Sequence, residues 1–187
     1  MTARARAVAL AIAAAAAACS GARPAPVAPT PAVRAEVAGA EDAELRRRHD
    51  LARTRYEQAI ADAHDPSSEG FARRNYAQTL ASWGEVPAAI AQLERAVAAS
   101  PADPSAWHDL GILRSTQDDP RGAALALERA KGLAPDDIRP RVALAALRWK
   151  AGDRPGALAE YRELLALDLP ERLRSKVTWA IDQLSKK

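Results

Sequence analysis

Apolar residues recur three or four positions apart along most of the chain, which is the spacing of one face of an amphipathic helix. From residue 70 onward the pattern divides into pairs of helical segments separated by short turns. The turns fall at Gly84, Asp118 and Gly152, at intervals of 34 residues. The sequence therefore predicts an all-α chain of antiparallel helix hairpins.

The 34-residue period also relates the apolar positions of each second helix. Three columns recur: Ala89, Ala123 and Ala157; Leu93, Leu127 and Tyr161; and Ala96, Ala130 and Leu164. Pro101 and Pro135 close two of the units, because proline has no backbone N–H with which to continue a helix. An acidic residue precedes each second helix, where it can cap the helix: Glu85, Asp119 and Asp153. Agreement in so many columns indicates an internal repeat rather than an unrelated bundle.

The best-formed unit contains Trp107, Leu110 and Gly111, followed by Ala123, Leu127, Ala130 and Pro135. It resembles the tetratricopeptide (TPR) pattern W-x2-L-G…A-x3-F…A…P. Arg114 stands where that family has an aromatic residue, and Leu127 replaces another. The resemblance implies a right-handed superhelical array, in which each hairpin buries its apolar face against the next.

The same resemblance organises the rest of the chain. It gives three repeats, at residues 70–103, 104–137 and 138–171, between an N-terminal capping helix at 41–69 and a C-terminal capping helix at 172–187. Residues 41–63 are predicted to form one long helix. Its apolar stripe comprises Leu45, Ala52, Tyr56, Ala59, Ile60 and Ala63.

The N-terminus has the pattern of an export signal. Arg4 and Arg6 precede an uninterrupted apolar run at residues 7–18, which predicts a signal peptide over residues 1–18. Cys19, the only cysteine, follows and resembles the acylated cysteine of bacterial lipoproteins, although Ala16 departs from the preferred leucine. The resemblance implies a lipid anchor, and Ser20 implies the periplasmic face of the outer membrane. The alternative is ordinary cleavage that leaves a free thiol.

Residues 19–40 are rich in proline and alanine. They predict an extended, semi-rigid linker, or a tail with no spacing role. Without Arg4 and Arg6 the chain has 25 basic and 24 acidic residues, so its charge gives no reason to expect a nucleic-acid partner.

Candidate chemistry is sparse. His49, His64 and His108 are each followed by aspartate, and neighbouring residues on a helix diverge too far to form a ready metal pair. No nucleophile motif, phosphate-binding loop or dinucleotide fingerprint occurs. We therefore expect a non-enzymatic chain with no cofactor and no metal.

TPR arrays bind partners on the concave face, which is lined by the first helix of each repeat. By that resemblance the groove residues are Phe71, Arg74, Gln78, Ser82, His108, Ile112, Ser115, Arg139, Val142, Ala146, Trp149, Lys150, Lys176 and Ala180. Such a surface is mixed and mildly basic, and suits a peptide with an apolar side chain and some acidic character. Ile112, Val142 and Ala146 stand where chaperone-tail binders carry a clamp for a terminal carboxylate. Trp149 either binds or packs, whereas Trp83 and Trp179 are expected to pack.

These expectations give a lipid-anchored, non-catalytic protein-interaction adaptor of the bacterial envelope, which binds a partner peptide or helix in its groove. One alternative is a pilotin-like assembly factor for an outer-membrane pore or pilus. Another is a purely structural envelope tether. The sequence leaves the oligomeric state open.

Overall fold

The computed structural model describes residues 28–186. Within that range the chain forms nine α-helices and no β-strand. The helices are α1 (Pro31–Leu45), α2 (His49–Ala61), α3 (Pro66–Ser82), α4 (Val86–Ala99), α5 (Pro104–Thr116), α6 (Pro120–Leu133), α7 (Ile138–Lys150), α8 (Arg154–Leu165) and α9 (Glu171–Ser185). The predicted signal peptide and Cys19 lie outside the described residues.

Aspartate side chains begin most of the helices. A carboxylate accepts a hydrogen bond from a first-turn backbone N–H at Asp65, Asp103, Asp119, Asp137 and Asp153. Each bond satisfies an N–H that the helix itself leaves without a partner. Glu85 precedes α4 but makes no such bond. The recurrence of these caps fixes where each hairpin begins and turns.

The turns inside the last three complete hairpins share one backbone feature. Gly84, Asp118 and Gly152 have φ angles of 82°, 54° and 79°. Glycine adopts this left-handed conformation without a Cβ clash, and aspartate tolerates it better than most residues. The 34-residue spacing of these turns in the sequence is therefore a spacing of equivalent chain reversals.

Helices α1 to α8 pack as four hairpins, α1/α2, α3/α4, α5/α6 and α7/α8. The second helix of each hairpin packs against the first helix of the next, and α8 packs against α9. First helices also contact one another, α1 with α3 and α5 with α7. We call the side lined by first helices the concave face, and the side lined by the second helices α2, α4, α6 and α8 the convex face.

Each hairpin closes around small residues. A Cβ added to Gly111 would lie 2.6 Å from Leu127 Cγ and 3.1 Å from the Ala123 carbonyl oxygen, so only glycine fits without a shift. The corresponding positions of the other hairpins are also buried: Ala89, Leu93, Ala96, Ala157, Tyr161 and Leu164. Leu110 and Ala130 are buried in the same hairpin as Gly111. Pro101 and Pro135 lie two residues beyond the ends of α4 and α6.

The prediction of one long helix at residues 41–63 is wrong. Helix α1 ends at Leu45, Arg47 turns the chain with a φ of 57°, and α2 begins at His49. Leu45, placed on the predicted apolar stripe, is 84% exposed. The sequence misled because neither glycine nor proline marks this turn, and arginine is a good helix former.

Part of the predicted linker is also helical. Residues 31–40 form most of α1, which begins with Pro31 in its first turn, where proline is tolerated. Val33 and Val37 bury its inner face. The following helix is held by Tyr56, whose ring stacks on Tyr76 at 5.0 Å and whose hydroxyl lies 2.9 Å from that of Thr79. The chain therefore has a fourth hairpin where a single capping helix was predicted.

Candidate protein-binding surface

The groove residues predicted from the sequence lie on first helices and on α9. Phe71, Arg74 and Gln78 are on α3; His108 and Ile112 are on α5; Arg139, Trp149 and Lys150 are on α7; Lys176 is on α9. Residues 34 apart occupy equivalent positions on successive first helices. Gln78, Ile112 and Ala146 form one such row, which crosses the concave face from hairpin to hairpin.

Most polar groups on α3 and at the start of α5 pair with one another, but Arg74 Nε is buried and makes no hydrogen bond within the described residues. Arg74 Nε lies 3.7 Å from the carboxylate of Asp103. Gln78 Nε2 donates to Asp109 Oδ2 at 2.8 Å, and His108 Nδ1 lies 3.1 Å from Asp109 Oδ1. Arg74 and Gln78 were predicted from the sequence, but their partners were not: Asp103 lies in the loop before α5, and Asp109 lies on α5 itself.

Arg139 is neutralised in the same way. Its Nη2 donates to Asp137 Oδ2 at 2.7 Å, and its Nε donates to both oxygens of that carboxylate. The hydrogen bonds to Asp137 raise the pKa of Arg139, and those from Arg139 hold the pKa of Asp137 below its usual value. Both arginines predicted for the groove are therefore in ion pairs, and the concave face is less basic than the sequence indicated.

The rest of the face, formed by the C-terminal parts of α5 and α7 together with α9, is apolar and aromatic. Ile112 and Ala146 are exposed, and Val142 is half-buried beside them. Trp149 packs edge-on against Tyr161 at 6.2 Å between ring centroids and lies 6.1 Å from the Trp179 ring. Trp179 is 59% exposed, so the expectation that it is a packing residue is wrong. Trp149 joins the core to the exposed tryptophan.

The groove positions predicted on α9 need correction. Ala180 is 4% exposed and packs into the core with Val177 and Leu184. Lys176 is exposed, but Trp179 is the α9 side chain that contacts the aromatic cluster of α7. The physical reason is that the burial of α9 follows its contact with α8 rather than the register of the repeat.

Two clefts border this surface. One of about 780 Å³ lies at the starts of α3 and α5, where Phe71 shares an apolar lining with Pro29, Pro66, Pro101 and Pro104. The other, of about 480 Å³, lies along α9 and is lined by Glu171, Arg174, Ser175, Thr178, Trp179 and Asp182. Lys150 and Lys176 are exposed, and neither has an ion-pair partner within residues 28–186.

Trp83 is held in place by contacts within the fold. Trp83 donates from Nε1 to Glu44 at 2.7 Å and packs between the ring of His49 and the guanidinium of Arg53. Over the described part of the chain, no three histidine, cysteine or acidic side chains gather as a metal site would require. Among the same residues no helix combines the length and apolarity of a membrane span.

Comparison with known proteins shows which folds the chain resembles. No family model matches the sequence. The human PEX5-related protein is 31% identical over 74 residues, which are 40% of this chain and 12% of that protein. The chain therefore spans only a small part of the length of the curated relative it matches.

Solved structures align over most of the chain. A MamA protein superposes with a TM-score of 0.68 at 17% identity, covering 81% of this chain and 80% of MamA. PilF of Pseudomonas aeruginosa gives 0.64 at 18% identity, covering 81% and 72%. The first TPR of RPAP3, bound to an HSP90 peptide SRMEEVD, gives 0.59 at 14% identity, covering 66% and 98%. This chain has the TPR fold. At these identities the likeness establishes the helical repeat array itself.

Proposed function

We propose that the chain is a non-catalytic protein-interaction adaptor that binds a partner peptide or helix on its concave face. The observation that carries the proposal is the exposed Trp179 ring beside Trp149. Ile112 and Ala146, on the first helices α5 and α7, are also exposed. Tryptophan is among the residues that contribute most to binding when a partner covers it. The peptide bound to the TPR of RPAP3 supports this use of the fold.

The surface indicates the chemistry of the partner. An aliphatic or aromatic side chain would pack against Trp149 and Trp179. A carboxylate two or three residues away could pair with Lys150 or Lys176, which lack partners in the described chain. Arg74 and Arg139 already lie in ion pairs with Asp103 and Asp137, so an acidic group of the partner would have to compete with those carboxylates. The favoured ligand is thus an amphipathic segment with its apolar end at α7 and α9.

The adaptor proposal includes export and lipid anchoring through Cys19, at the periplasmic face of the outer membrane. Its support is the sequence alone: the charged start, the apolar run and the single cysteine at the boundary. Metabolic labelling with a palmitate analogue tests it. The wild type should be labelled and should fractionate with membranes, whereas a Cys19→Ala variant should show neither the label nor the membrane fractionation. Equal fractionation of the two would remove the anchor from the proposal.

The groove is tested by crosslinked co-purification from the cell envelope, with Trp179→Ala and Lys150→Glu beside the wild type. Leu45→Ala is the matched control, because Leu45 is a large exposed apolar residue at the end of α1, outside the groove. A partner recovered with the wild type and the control, but lost from both groove variants, supports the adaptor. A partner set that is the same in all four samples would mean that the groove is not the working surface.

A pilotin-like role is the second candidate, and its support is the resemblance of the N-terminus to bacterial lipoproteins together with the helical repeat. Deletion would then abolish the assembled multimer of an outer-membrane pore, and Trp179→Ala would reproduce the loss. A structural tether predicts the opposite pattern, in which Cys19→Ala removes function and the groove variants do not.

A further inference from the structure

Every acidic side chain of helices α4, α6 and α8 lies in an ion pair, either with a neighbouring hairpin or, for Glu163, within its own hairpin. Glu94 meets Arg114 at 2.8 Å, Glu128 meets Arg148 at 2.5 Å, Glu160 meets Lys131 at 2.8 Å, and Glu163 meets Arg141. The cations Arg114, Arg148 and Arg141 belong to first helices, on the inner side of the array. The carboxylates of these second helices are therefore neutralised by cations of the array itself.

Four arginines on the same helices have no such partner. Arg95, Arg121, Arg129 and Arg162 are exposed, and none has a hydrogen-bond or ion-pair partner among residues 28–186. We call these four residues the convex arginine row. Arg95 and Arg129 are 34 residues apart and hold equivalent positions on α4 and α6. Arg162 holds on α8 the position that Glu94 and Glu128 hold on the two preceding helices, and α9 offers it no partner.

Along α6 the row continues with helical spacing. Arg121, Leu125 and Arg129 are each four residues apart, so they share one face of the helix. Leu125 is 73% exposed and lies between the two arginines. The neighbouring exposed positions on these helices include five small residues: Ala88, Ala91, Ala98, Gly132 and Ala159. They also include the carboxylates of Glu94 and Glu163, which are paired with Arg114 and Arg141. Glu163 holds on α8 the position that Arg95 and Arg129 hold on α4 and α6.

The position of the clefts bears on which acidic partner the row would bind, a protein or a layer of phospholipid headgroups. The two clefts described above lie at the starts of α3 and α5 and on α9, away from the convex arginine row. A shaped protein partner usually places an anchor side chain in a well-packed pocket. A layer of phospholipid headgroups needs no pocket: it supplies phosphates, which guanidinium groups bind bidentately, and an interface that accepts a single leucine.

We propose that the convex arginine row is a docking surface for anionic phospholipid headgroups, with Leu125 entering the membrane interface. Second helices spaced about 10 Å apart spread the row over roughly 20 Å from α4 to α8, enough to contact several headgroups. Because first and second helices lie on opposite sides of the array, this contact turns the concave face away from the bilayer. The concave face then stays open to a partner while the chain rests on the membrane.

The test places an environment-sensitive NBD probe on the full chain at Leu125→Cys, in a Cys19→Ser background that leaves one cysteine. Ile112→Cys on the concave face is the matched control, since Ile112 is also an exposed aliphatic residue. Vesicles are phosphatidylcholine alone or with phosphatidylglycerol. We expect a blue shift at position 125 only with phosphatidylglycerol, reversed by high salt because screening weakens exposed charges. The N-terminal segment is common to all samples and is present with both kinds of vesicle.

Charge reversal tests the arginines directly. Each basic residue near an anionic surface contributes about fivefold in affinity, so Arg95→Glu/Arg129→Glu/Arg162→Glu should weaken vesicle binding by at least about 100-fold. The control Arg34→Glu/Arg48→Glu/Arg172→Glu reverses three other exposed, unpaired arginines of the described chain. Equal losses in the two triple variants would overturn the proposal, as would a probe response that ignores phosphatidylglycerol. Loss of an acidic protein partner without any change in vesicle binding would also overturn it.

Discussion

The guanidinium of Arg114 lies 2.8 Å from the carboxylate of Glu94, and 34 residues later Arg148 meets Glu128 at 2.5 Å. Each pair joins the second helix of one hairpin to the first helix of the next. Arg114 occupies the position where TPR sequences carry an aromatic residue. In this array an ion pair between hairpins takes the place of that aromatic side chain.

The two kinds of ion pair in the array should differ in strength. The Arg114 and Glu94 side chains are 26% and 51% exposed, so we expect Arg114→Ala to lower the free energy of unfolding by only about 0.5–1 kcal/mol. Glu160 is 3% exposed and lies 2.8 Å from Lys131 and 3.4 Å from Arg148. Its removal leaves poorly solvated cations, so Glu160→Ala should cost about 2–3 kcal/mol. Equilibrium urea unfolding measures both, and equal effects would contradict this ranking.

Lys131 reports on the same network. Burial by itself lowers the pKa of Lys131, but hydrogen bonds to Glu160 and Glu128 outweigh that effect and raise the pKa above its usual value. The pair therefore stabilises the fold fully below the unfolded pKa of lysine, and that contribution is lost as the pH rises through the folded pKa. Alkaline unfolding of Glu160→Ala should show a smaller loss, since only the bond from Lys131 to Glu128 remains.

Alanine substitutions at two glycines of the same hairpin, Gly111 and Gly132, should change the stability of the chain in opposite directions. Gly111→Ala places a Cβ 2.6 Å from Leu127 Cγ and should destabilise the chain by about 1–3 kcal/mol. Gly132→Ala adds a Cβ on α6 that meets nothing within 4 Å, and it should stabilise by about 0.5–1 kcal/mol through helix propensity. Thermal unfolding of the two variants checks the sign as well as the size.

The added N-terminal hairpin can be tested within α1. Val37 is 2% exposed, so Val37→Asp buries an unpaired charge and should detach α1. Ala38→Asp, on the exposed side of the same helix, is the control and should leave the structure intact. Limited trypsin digestion is the readout, because Arg46–Arg48 lies at the α1/α2 turn. Faster cleavage there in the Val37 variant alone is the expected result, and equal rates would argue against packing of α1.

Acid should act partly through the helix caps. The hydroxyl and backbone N–H of Ser68 hold the pKa of Asp65 below its usual value, and hydrogen bonds from Arg139 do the same for Asp137. A carboxylate with a depressed folded pKa stabilises the protein above its unfolded pKa, and this stability is lost as the pH falls through the folded value. Asparagine keeps the cap but not the charge. The Asp65→Asn/Asp137→Asn variant should therefore lose less stability than the wild type between about pH 5 and pH 2.

The prediction of the binding face depended on the helical register. Rows such as Gln78, Ile112 and Ala146 follow from the 34-residue period, and the sequence located them on first helices. It did not reveal that Asp103 and Asp109 pair with Arg74 and Gln78, because those contacts join separate helices and loops. The pair of Asp137 with Arg139 is local, at the start of α7, and was not predicted either. Trp179 was misjudged for a similar reason: the register of α9 follows its contact with α8.

The sequence by itself determined the all-α class, the 34-residue repeat, the turns at Gly84, Asp118 and Gly152, and the small residues on which each hairpin closes. These features are local or periodic, so they can be recognised from spacing and residue type. Only the tertiary structure decided that residues 31–45 form a helix and that Arg47 turns the chain. It also decided which arginines find a carboxylate and which remain exposed. Burial of Val33 and Val37 and the pairing of Glu94 with Arg114 depend on contacts between separate hairpins, and no local pattern encodes those contacts.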